Sequence, residues 1–150
     1  MKSAFSFRGH PLHVVLVDFP IALWVTSFLA DLAYLWRGDA YWFQAAWDLM
    51  AAGIAFAVLA AVPGVVDYFK SAPPHSEAKT MARTHGLLNG GVTVLYAFNL
   101  WWRTGPGTVE GTQWWVAFAL SLVGVGTLGY TGWLGGELVF VHRMGIRENE

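Results

Sequence analysis

Two histidines three residues apart, His10 and His13, open a long apolar stretch that also contains Asp18, five residues further on. His85 and Asn89 stand four apart, Asp67 sits alone in another apolar run, and Glu137 and His142 close a fourth. The sequence has no cysteine. That excludes disulfides, cysteine-ligated zinc or iron–sulfur centres and the CxxCH attachment of c-type haem, and leaves imidazole and carboxylate as the metal-ligand types. Imidazole is the usual ligand for haem iron, zinc, copper and non-haem iron, and carboxylates either join it on the metal or orient its ring N–H.

Two metal readings compete. In a b-type cytochrome, His13 and His85 clamp iron axially, and Arg8, Arg83 or Lys79 meet the propionates. In a non-haem site, His10, His13, His85 and His142 converge on a Zn, Cu or Fe ion, with Asp18, Asp67 or Glu137 completing the shell; the i, i+3 spacing of His10 and His13 suits a small ion. A third reading makes the same groups a proton relay or substrate path, which with four helices and no inverted repeat requires a homo-oligomer. A fourth makes the chain a structural subunit of a larger membrane complex. No nucleophile–base pair supports catalysis, since Ser3, Ser6, Thr26 and Ser27 lie away from these groups. His75, in "SAPPHSEAKT", reads as a solvated loop residue.

The elements that must position these residues are helices in a bilayer. Hydrophobic side chains make up 55% of the 150 residues and charged ones 13%, with a mean hydropathy of +0.44. A soluble domain carries about 25% charge. The net charge of −1 provides no basic field for nucleic acid. Apolar runs at about 12–36, 42–69, 84–102 and 113–140 each approach or exceed the ~20 residues that span a hydrocarbon core. The first is too long and too acidic for a cleavable signal. The expectation is all-α: one domain over 1–150, an integral-membrane four-helix bundle running up-down-up-down.

An even number of crossings puts both termini on one side, A. That side holds Lys2, Arg8, Lys70, Lys79, Arg83, Arg143 and Arg147, against Arg37 and Arg103 on side B. The positive-inside rule makes side A, and so both termini, cytoplasmic. Trp36, Trp42, Trp47, Trp101, Trp102, Trp114 and Trp115 mark the side-B headgroup layer. All five histidines then fall on side A, drawn from four helices and one loop. Asp18 lies about 12 Å along the axis from His10, and an acid at mid-helix costs about 2.5–3.5 kcal/mol on insertion scales. Blander roles remain for some acids. Asp67 pairs with Lys70 or Arg83, while Asp31, Asp48 and Asn99 make local hydrogen bonds near side B. Pro11 sits in a first helical turn with His10 as its cap, and Pro20 and Pro63 kink the first two helices. Glycines in the third and fourth helices admit close packing or a flat ligand.

The segments "GHPLH…FPIAL" (9–23), "RTHGLLN" (83–89) and "GWLGGELVFVH" (132–142) together resemble a bacterial four-helix membrane family, domain of unknown function 2231, over nearly the whole chain. The resemblance carries over His10, His13, His85, Gly135, Gly136, Glu137 and His142. Members fused to a Rieske-type iron–sulfur domain imply a redox setting in the bacterial inner membrane, and a Rieske-type or other redox partner. Relatives often have a third histidine where this chain has Asp18, a poor axial haem ligand but a good ligand for a hard ion. The leading expectation is a b-type haem protein of membrane electron transfer; the alternative is the four-histidine metal site.

Overall fold

The computed structural model describes residues 2–105 and 111–146. Residues 106–110 of the last connection, and Arg147 of the side-A count, lie outside the described residues. Four helices dominate: α1 (Leu12–Arg37), α2 (Ala40–Lys70), α3 (Glu77–Trp102) and α4 (Thr112–Gly136), the last running on into a π-helical turn, Glu137–Val141. Ahead of α1, two short strands, β1 (Ser6–Phe7) and β2 (His10–Pro11), pair antiparallel around Arg8 and Gly9, both at positive φ.

The boundaries follow local chemistry. Gly38 ends α1 in the left-handed conformation, and its amide donates to the Tyr34 carbonyl. Asp39 caps α2 by accepting from the Tyr41 amide. The third helix begins at Glu77, seven residues before the apolar run, because the Ser76 hydroxyl accepts from the Lys79 amide and Glu77 favours the positive end of the helix dipole. At the start of α1 the expected His10 cap is absent. Pro11 is the capping residue without a side-chain bond, and His10 pairs with Phe7 in the hairpin. Pro20 and Pro63 both lie buried inside their helices.

Three helices, α1, α2 and α4 with its π-helical extension, are long and apolar enough to cross a membrane. The expected fourth span, α3, falls short in composition, and its polar residues explain why. His85, Asn89, Thr93, Tyr96, Asn99 and Arg103 recur every three or four positions, so they form one stripe along α3. Tyr96, Asn99 and Arg103 are fully or almost fully buried. The stripe is the inner face of the helix.

The chain folds as two hairpins, α1–α2 and α3–α4, and corresponding residues do corresponding jobs. Ser27 donates to the Ala46 carbonyl, and 72 positions on Asn99 donates to that of Ala117, at 2.8 and 3.0 Å. A Cβ on Gly53 would collide with Trp24 at 2.4 Å, and one on Gly124 with Tyr96 at 2.7 Å. Three equivalent pairs, each 72 residues apart, also touch one another: His13 with His85, Trp24 with Tyr96, and Asp31 with Arg103. A residue that meets its own counterpart marks a two-fold axis. The halves are thus related by a pseudo-dyad along the bundle. Trp24 and Tyr96 stack on it at 4.4 Å, in a core with Met50, Val92 and Leu128.

Candidate functional site

At one end of the axis the hairpins separate around a cavity of about 630 Å³, within the ~300–1,000 Å³ of ligand sites. His13 and Trp24 of α1, Ala60 and Gly64 of α2, His85 and Asn89 of α3, and Thr131 and Gly135 of α4 all line it. The lining is predominantly apolar.

His13 and His85 stand on opposite walls, their ring centroids 6.2 Å apart and their planes nearly perpendicular. Each is fixed within its own hairpin. His13 Nδ1 is 2.8 Å from the Ala60 carbonyl, and His85 Nδ1 is 3.0 Å from that of Thr131. A carbonyl can only accept, so each Nδ1 carries a proton, and in the neutral ring the lone pair is then on Nε2. Four residues beyond each carbonyl, on the same helix face, stands a glycine. A Cβ on Gly64 would lie 2.8 Å from the His13 ring, and one on Gly135 would lie 3.2 Å from that of His85. These two glycines let the imidazoles reach a neighbouring backbone. The Asn89 amide nitrogen lies 3.3 Å from His85 Nε2 and donates to the His85 carbonyl at 2.8 Å.

The remaining sequence candidates divide. Asp18 lines the cavity but stands exposed at its rim. Asp67 also lines it, yet its carboxylate is engaged by Ser3 Oγ at 2.7 and 2.9 Å and by the Ala4 and Phe5 amides at 2.8 and 3.2 Å. Its expected pairing with Lys70 or Arg83 gives way to this clasp, because a carboxylate facing several N–H and O–H donors is satisfied by them. Glu137 accepts from Trp133 Nε1 at 3.0 Å. His10, His142, Arg8, Arg83 and Glu137 do not line the cavity. Arg8 lies over the Phe7 ring, and His75 is exposed at positive φ in the connection before α3. Among the described residues, no three His, Asp or Glu side chains come within reach of a single metal ion. Of the expected ligands, His13 and His85 are the two whose rings meet.

The far end of the axis holds what the sequence reading missed. Asp31 and Asn99 are not local hydrogen-bonders, and Arg103 is not a loop cation. Arg103 forms a bidentate pair with Asp31, both oxygens at 2.7 Å, and also donates to Asn99 and Ser121. All four residues are buried. The legible signal was Asp31, an acid deep in an apolar helix, which calls for a buried partner.

Fold and site together define a helical membrane protein whose two hairpins enclose an apolar slot with a histidine on each wall. The chain belongs to the family described as predicted membrane protein, domain of unknown function 2231, whose model matches residues 9–148. No curated protein and no solved structure matches it.

Proposed function

We propose that the slot binds a b-type haem between His13 and His85 and that the protein carries electrons in a membrane. The observation that carries this reading is the histidine pair on the pseudo-dyad. With a metal–nitrogen bond of about 2 Å and an imidazole radius of about 1 Å, ligands on opposite sides of one iron stand about 6 Å apart centre to centre, and tetrahedral ligands about 5 Å. The 6.2 Å separation leaves room for one metal ion between the two rings. Both rings have the Nδ1–H···O=C anchor that orients a metal-binding imidazole. The apolar walls and the glycines suit a flat macrocycle, and Asn89 stands beside His85 Nε2 at its edge. Haem would supply one-electron chemistry here; His13 and His85 would hold it, and the lining would give an apolar surround and exclude water.

The wider frame is part of the proposal. All four helices cross the membrane up-down-up-down as one domain, α3 being carried by its neighbours because its polar stripe faces inward. Both termini lie on the cytoplasmic side of a bacterial inner membrane, and the electron partner is a Rieske-type or other redox protein. The non-haem alternative retains His13 and His85, with Asp18 or Asp67 of the lining, but its other two histidines, His10 and His142, stand outside the lining.

The test is a reduced-minus-oxidised spectrum with iron analysis on purified protein. Sharp b-type bands with about one iron per chain are expected from six-coordinate bis-histidine ligation. His13→Ala and His85→Ala should each abolish them while the helices still insert. Zinc or copper in place of haem, or haem retained in both variants, rejects the reading.

A further inference from the structure

The pseudo-dyad makes the two open edges of the slot equivalent in shape. One lies between α1 and α4, flanked by Val14, Asp18 and Gly132; the other lies between α3 and α2, flanked by Gly86, Gly90 and Ala61. Each residue of the first set has its counterpart, 72 or 71 positions away, in the second. All six are exposed. Phe140 and Phe69, at 81% and 71% exposure, stand in equivalent places on α4's extension and α2.

Charge breaks the equivalence. Asp18 stands where the other edge has Gly90. On α3, Lys79, Arg83, Gly86 and Gly90 follow at intervals of four, three and four, so both cations share the stripe that borders the α2–α3 edge. Lys79 confirms the placement. Its ammonium donates to the Tyr68 carbonyl of α2 and lies 4.0 Å from the Tyr68 ring centre. Arg83 is exposed about 10 Å along the axis from Gly90. α1 has no Lys or Arg before Arg37 at the opposite end and α4 with its extension has none; the cations beyond the ends of these helices are Arg8, whose guanidinium lies over the Phe7 ring, and Arg143. Asp67, an acid of α2 that lines the cavity, is already engaged by the N-terminal segment.

We propose that the slot reads the polarity of a planar, membrane-soluble amphiphile, placing its anionic edge at the α2–α3 opening toward Arg83 and Lys79 and its apolar edge beside Asp18. This rests on the reading of the slot as a porphyrin site and adds that the two carboxylates of the porphyrin are recognised. Asp18 acts by repulsion: an anion at its edge meets a like charge in a low-dielectric surround, where Coulomb terms are several times those in water. In a slot built on a two-fold axis this charge difference orients an occupant that shape alone would admit either way round.

The test compares iron protoporphyrin IX with its dimethyl ester, titrated into apo-protein in detergent. Wild type should bind the diacid about tenfold more tightly than the ester, from two charge-assisted contacts. Arg83→Gln with Lys79→Gln should erase that preference and leave ester binding unchanged. Moving the acid, by Asp18→Gly with Gly90→Asp, should weaken the diacid and spare the ester. Equal affinities in wild type, or a preference that survives the cation variants, overturn the inference while the haem reading stands. Uptake of neither porphyrin overturns the haem reading and this inference with it.

Discussion

Asp31 and Arg103, 72 residues apart in sequence, meet through two parallel 2.7 Å hydrogen bonds with both side chains fully buried. They occupy equivalent positions in the two hairpins, so the pair sits on the same axis as the histidines, at the opposite end of the bundle. A carboxylate and a guanidinium out of contact with water are tolerable only together, and Asn99 and Ser121 occupy further guanidinium N–H groups. The pair therefore fastens α1 to α3 at one end while the hairpins separate at the other.

Removing one partner strands the other charge. Asp31→Ala should destabilise the folded protein by about 3–5 kcal/mol, and Arg103→Met by a similar amount. Replacing both, as Asp31→Leu with Arg103→Met, should cost much less than the sum, because no buried charge is then left unpaired. Denaturant unfolding of the purified protein in detergent checks this. Additive losses would mean that the two residues do not act as a unit.

The glycines behind the histidines differ in clearance, and so should their substitutions. Gly64→Ala would place a methyl 2.8 Å from the His13 ring, against 3.2 Å from His85 for Gly135→Ala. Overpacking of this kind costs about 1–3 kcal/mol. Gly64→Ala should displace His13 and weaken ligand uptake severalfold or more, and Gly135→Ala should do so less. Gly126→Ala, where an added Cβ meets nothing within 4 Å and which does not line the cavity, is the control. Ligand titration of the three variants decides the order.

Helix number, three of the four apolar spans and the choice of His13 and His85 as the histidines that face each other were legible in the sequence because they rest on length, hydropathy and residue type. What could not be read there depends on pairing between distant helices. Asp31 looked like an interfacial acid and Arg103 like a loop cation, because nothing local links residues so far apart in the chain. The repeat was hidden for a related reason. It is parallel rather than inverted, and it survives at a few positions of close approach, such as His13/His85, Gly53/Gly124 and Gly64/Gly135, while lipid-facing residues differ freely. Asp67 was misread as a cation's partner because the N-terminal segment that engages it carries no charge there.

That engagement gives Asp67 a testable role. Ser3 Oγ and the Ala4 and Phe5 amides all donate to its carboxylate, and the Leu12 amide closes the loop on the Phe5 carbonyl. Asp67→Ala removes the acceptor and leaves those donors to water, at a cost of about 1–3 kcal/mol. Because the loss is confined to the segment before α1, hydrogen exchange at Ala4 and Phe5 should accelerate about tenfold or more. Exchange at the core residues around Tyr96 should be unchanged.

Reporter fusions examine the topology. Fusions after residue 150, or ahead of residue 2, should report a cytoplasmic location, and insertions between Thr104 and Gly111 the opposite side. The expectation rests on the seven-to-two cation imbalance in the sequence. A periplasmic C-terminus would move the histidine end of the bundle to the outer face and change which partners can reach it.

Tyr96 provides a test of sign. Its ring is fully buried, stacked on Trp24, yet among the described residues its hydroxyl has no hydrogen-bond partner. A buried hydroxyl without a partner forfeits its hydration and gains nothing in return. Tyr96→Phe deletes that cost while keeping the aromatic face, so it should leave stability unchanged or raise it by up to about 1–3 kcal/mol. Tyr96→Leu, which loses the stack, should destabilise. If Tyr96→Phe instead destabilises by more than about 1 kcal/mol, the hydroxyl has a partner, and an ordered water between Tyr96 and the Ser121 face of α4 becomes the first place to look.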